Sequence, residues 1–85
     1  MCLQQKSLMQ SVICKGKPIR YYLVTETAKN GVKGYGICVE YGTEVQQIRN
    51  ITGSQKEIRR LLKLLVDGCV TPVTVQYVVE DWLLA

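Results

Sequence analysis

Histidine is absent from the 85 residues of the chain. That removes the commonest general base and the imidazole metal ligand together, so no Ser-His-Asp triad, Cys-His pair or histidine–metal site can be assembled. The other residues suited to covalent or metal chemistry are four cysteines, Cys2, Cys14, Cys38 and Cys69. They are widely spaced and form no C-x-x-C pair, a pattern that fits neither a zinc site nor a redox dithiol. A disulfide framework needs a secreted context. Residues 1–17 instead carry polar or charged side chains every few positions, with no apolar h-region. The expectation is therefore four reduced thiols in a cytoplasmic protein, with Cys38 and Cys69 acting as small apolar core residues. Neither a metal nor a cofactor is expected.

The carboxylates offer little catalysis. Glu26 and Glu40 fall on the outer side of one predicted hairpin, where a contact with Arg20 or a lysine is the ordinary outcome. An acid–base pair would need them to converge in a pocket, and a chain this short has little room for one. Glu80 and Asp81 are adjacent on a predicted helix and diverge. No catalytic residue is expected, and the chain reads as a non-enzyme. Gly31, Gly34 and Gly36 do not form a phosphate loop, because a strand follows them where such a loop needs a helix N-terminus.

Two residue sets point to binding. Lys56, Arg59, Arg60 and Lys63 recur at i, i+3, i+4 and i+7 and could lie along a phosphate backbone. Four contacts would give only weak, salt-sensitive affinity, and no aromatic residue is interleaved for base stacking. A solvated helix face is the ordinary reading, and weak nucleic-acid binding the alternative function. The second set is Arg20, Tyr22, Val24 and Glu26, on the side of a strand that faces away from the predicted helices. A mixed face of this kind can be self-complementary about a two-fold axis, with Tyr22 and Val24 as apolar anchors and Arg20 meeting Glu26 of a second copy. The leading expectation is thus a small non-catalytic interaction module that forms a homodimer through its sheet, or binds another protein.

The elements that must position these residues are legible. Hydrophobic residues make up 47% of the chain and charged residues 21%, with a formal net charge of +4. Those proportions suit one folded domain over 1–85, with about 1–6 as a tail, and no apolar run approaches the roughly 20 residues of a membrane span. A strand is expected from Leu8 to Cys14, then a turn at Lys15-Gly16-Lys17-Pro18. Ile19 to Thr27 is the clearest strand, placing Ile19, Tyr21, Leu23 and Thr25 on one face. Asn30-Gly31 signals a hairpin. Tyr35 to Tyr41 is a third strand, Gly42-Thr43 a turn and Val45 to Ile51 a fourth strand. Ser54 with Glu57 is a capping box opening a helix whose apolar stripe is Ile58, Leu61, Leu62 and Leu65. Gly68 is expected to end it in a left-handed conformation at C′. The last segment supports either period; the longer match, Val75, Val78, Val79, Trp82 and Leu83, predicts a helix capped by Thr74 with Trp82 largely buried. The predicted fold is α+β: an antiparallel β-meander of about four strands covered on one face by two C-terminal helices.

Three stretches carry a family resemblance: Tyr21-Tyr22-Leu23, Gly34 through Glu40, and Val70-Thr71-Pro72 through Val79-Glu80-Asp81-Trp82-Leu83. They resemble a family of small uncharacterised proteins of Gram-positive, spore-forming bacteria, classed as a domain of unknown function. The likeness covers the chain from about Tyr21 onward and is strongest in the C-terminal V-T-P…V-x-E-D-W-L pattern. It implies a bacterial cytoplasmic protein in which Glu80-Asp81-Trp82 belongs to the folded domain. It brings no activity, cofactor or catalytic residue.

Overall fold

The computed structural model describes residues 3–84. Cys2, and the first two residues of the expected tail, lie outside the described residues. Four strands, β1 (Leu3–Cys14), β2 (Lys17–Thr27), β3 (Lys33–Tyr41) and β4 (Glu44–Thr52), form one sheet in the order β1-β2-β3-β4. Every neighbouring pair is antiparallel. Two helices, α1 (Gln55–Asp67) and α2 (Val75–Leu84), close the chain. The predicted α+β architecture and the helical reading of the last segment are both observed. The first strand differs: it begins at Leu3 instead of Leu8, and Gln4 to Lys6 pair with Glu26 to Val24 where a tail was expected.

Short turns fix the meander. Lys15 and Gly16 both have positive φ, 52° and 79°. That is the two-residue type I′ pattern whose twist matches the flanking strands. Asn30-Gly31 does not make such a turn. The loop is wider: Gly31 N–H donates to the Ala28 carbonyl, and the Asn30 side chain accepts from Val32 N–H at 3.1 Å. Asn30 serves as a local backbone acceptor, an Asx-type role.

The buried core joins Ile19, Tyr21 and Leu23 of β2 and Ile37 and Val39 of β3 to Ile58, Leu61, Leu62 and Leu65 of α1 and Val75 and Val79 of α2. The expected inner faces of β2 and β3 are therefore the ones that meet the helices. Tyr21 is fully buried, and its hydroxyl donates to the Val70 carbonyl at 2.8 Å, pinning the α1–α2 link to the sheet. Burial, with the neighbouring Cys69 and Cys14 thiols, pushes its pKa up to about 12. A shift in β1 register between Leu8 and Gln10 makes Met9 an extra residue. Past this bulge Val12 and Cys14 pack against the core. Without it the period-2 alternation would have turned them outward.

The ends of the helices depart from expectation in instructive ways. Ser54 accepts from Glu57 N–H at 3.2 Å as predicted, but Ser54 N–H donates to the Thr52 hydroxyl and the Glu57 carboxylate pairs with Arg60, so only half of the capping box forms. At the other end Gly68 has φ −90°. It is Cys69 that takes the left-handed conformation, at φ 50°. Val70 N–H donates to the Leu65 carbonyl and Cys69 N–H to that of Val66. These are the two bonds of a Schellman motif with Cys69 at C′, one residue later than predicted. Thr74 donates its hydroxyl to the Thr71 carbonyl, in the turn that leads into α2, rather than capping the helix.

Candidate functional site

The outer face of the sheet holds the residues first expected to form an interface. The structure brings them together but does not leave them free. Val24 is only 1% exposed, so it cannot act as the exposed anchor that its position predicts. Tyr22 is half-buried; its hydroxyl donates to Glu40 Oε1 at 3.0 Å, and Lys6 Nζ sits 4.5 Å from its ring centroid, within cation–π range. Lys6 also pairs with Glu40 Oε2 at 3.3 Å. This is the lysine contact expected of the outer carboxylates, supplied by a residue not singled out beforehand. Glu26 receives both Arg49 Nε and Arg49 Nη2 at 2.7 Å, a bidentate pair reaching across β3. Of the four residues only Arg20 is exposed.

Glycine makes that reach possible. Ile37 faces Ile48 and Tyr35 faces Thr52, so Arg49, Asn50 and Ile51 together oppose Gly36. Asn50 takes φ 56° within this bulge. A Cβ on Gly36 would run into the Ile48 carbonyl oxygen, and one on Gly34 into the Asn50 side chain.

The charge chemistry of this face is settled within the chain. Burial works to raise the Glu40 pKa, but hydrogen bonds from Tyr22 and Lys6 outweigh it and hold the carboxyl below its ordinary value. The hydrogen bond to Glu40 correspondingly raises Lys6. Arg49 lowers Glu26. Cys38 lies beneath the network with Lys6 Nζ 3.9 Å from its Sγ, and burial pushes its thiol upward, away from the reactive thiolate form. Cys14, Cys38 and Cys69 are free thiols. Among the described residues no group of three or more His, Cys, Asp or Glu side chains could hold a metal. Among the described residues no helix is long and apolar enough to cross a membrane.

The helical layer is different. Lys56, Arg59, Arg60 and Lys63 are all exposed on the outward side of α1, as their spacing predicts. Arg60 contacts Glu57 at 3.5 Å. Among the described residues Lys56, Arg59 and Lys63 form no ion pair. Arg59 and Lys63 also line a shallow groove of about 360 Å³ with Leu62, Val66, Asp67 and the Met9 and Gln10 of the β1 bulge.

On α2, Val75 and Val79 are buried and Val78 and Trp82 are half-buried against the core. Trp82 is thus less enclosed than predicted, and Leu83, expected on the packed stripe, is exposed. The opposite face carries Tyr77 and Leu84, which are 69% and 87% exposed, and Val73, in the turn just before the helix, is 65% exposed. Sequence reasoning missed this surface because it followed a single stripe. The signal was available: Tyr77 and Leu84, at i and i+7, share a face of α2 opposite the buried Val75 and Val79.

A model of a protein family described as a family of unknown function (DUF6514) matches residues 4–85. No curated protein and no solved structure matches the chain.

Proposed function

Because the chain belongs to this family of unknown function, whose description supplies no activity, we propose its role from the geometry: a small non-catalytic interaction module that self-associates. The observation that carries this reading is the outward face of α2, where Tyr77 and Leu84 stay exposed, with Val73 exposed just ahead of the helix, although the helix already has one face in the core. Apolar side chains clustered on one surface gain free energy when a partner removes them from water. A domain of this size has a small core and benefits from such added burial. The paired charges of the sheet face favour a structural part for that side, since groups that neutralise one another within the chain offer little to a partner. Sedimentation velocity over a concentration series tests the reading. A mass that rises from monomer to dimer is expected; a monomer throughout the micromolar range would overturn it.

A further inference from the structure

Resting on the self-association reading, we propose that the partner is a second copy seated on the helical layer. The cationic face of α1 in each protomer lies against the apolar, acidic outward face of α2 in the other.

The two helices carry complementary surfaces. Helix α1 has four cations against two carboxylates, Glu57 and Asp67, whereas α2 has Glu80 and Asp81 and no cation. The α2 carboxylates lie among Tyr77 and Leu84, and α1 contributes the half-exposed Leu64 next to its basic residues. An isologous contact requires one surface to carry both a patch and its complement, so that the two-fold axis makes each contact twice. The helical layer meets this requirement. The sheet face does not, because Glu26 and Glu40 are held by Arg49 and Lys6, and Val24 and Cys38 are already covered. A nucleic acid fits α1 less well than a protein does. Glu57 and Asp67 share the helix with the cations, and Glu80 and Asp81 on α2 would repel phosphate.

Charge reversal with rescue tests the surface on the full chain. Two double variants are needed, Arg59→Glu with Lys63→Glu on α1, and Glu80→Lys with Asp81→Lys on α2. All four residues are exposed, so circular dichroism and the thermal midpoint serve as folding controls. Opposed like charges at an interface disfavour association, so each double variant should raise the dimer dissociation constant at least about tenfold. The quadruple variant, with both signs inverted, should regain wild-type association. A dimer unaffected by either double variant would overturn this surface while leaving self-association standing. A wild type that never dimerises would overturn both. A folded quadruple variant that stays monomeric would refute the pairing of α1 with α2. If the α1 reversal abolishes salt-sensitive binding to a fluorescent DNA duplex and leaves the mass in solution unchanged, the face serves nucleic acid and the proposal falls.

Discussion

Replacing Gly68 by alanine separates the observed end of α1 from the one its sequence predicts. If Gly68 occupied C′ with positive φ, an alanine there would be strained by about 1–2 kcal/mol. The structure puts Gly68 at φ −90°, where a Cβ meets only the Leu64 carbonyl oxygen at 3.4 Å and Val70 Cγ2 at 3.5 Å, ordinary contact distances. Alanine should then stabilise the fold by about 0.4–1 kcal/mol, chiefly by restricting the unfolded chain. For a domain of this size that raises the thermal midpoint by roughly 2–8 °C. The complementary change, Cys69→Gly, relieves a left-handed non-glycine residue at φ 50° but gives up the packing of a half-buried side chain. Its net effect should be smaller, within about 1 kcal/mol of zero. Calorimetry or thermal denaturation followed by circular dichroism reads both. A midpoint lowered by 4 °C or more (about 1 kcal/mol) in Gly68→Ala would refute the placement of the Schellman motif.

Tyr21→Phe removes the 2.8 Å bond to the Val70 carbonyl and should cost about 1–2 kcal/mol in urea denaturation. Because the folded pKa of Tyr21 lies near 12, above its usual 10, its contribution is fully present below pH 10 and is lost as pH rises toward 12; the Phe variant should show a correspondingly shallower loss over that window. Gly36→Ala should destabilise by about 1–3 kcal/mol, since its Cβ strikes backbone at Ile48, and an unchanged midpoint would mean that β4 does not approach so closely. Adding reductant should leave the midpoint where it is; intact-mass evidence of a disulfide involving Cys14, Cys38 or Cys69 would contradict the free thiols.

The meander, helix α1 and the inner faces of β2 and β3 are legible in the sequence because they depend on local periodicity, whereas the last segment fits either period and only the fold shows it as helix α2. Ile19, Tyr21 and Leu23 can share a face only in an extended chain, and Ile58, Leu61, Leu62 and Leu65 only on a helix. It also located the exposed cations of α1 and the buried thiol of Cys38. What it could not supply depends on register and on distant partners. Nothing near Glu26 announces that Arg49, 23 residues away, reaches its carboxylate. That contact requires the β4 bulge and the absence of a side chain at Gly36. Likewise Val24 alternates like any outward residue, yet between Lys6 of β1 and Gly36 of β3 it is only 1% exposed. The one-residue displacement of the α1 terminus reflects competition between a local preference for glycine at C′ and the geometry of the link, where Tyr21 holds the Val70 carbonyl. Which surface stays uncovered also depends on packing between distant elements. Sequence periodicity shows how many apolar faces α2 has, but one sheet and one neighbouring helix can bury only one of them, leaving Tyr77 and Leu84 outside.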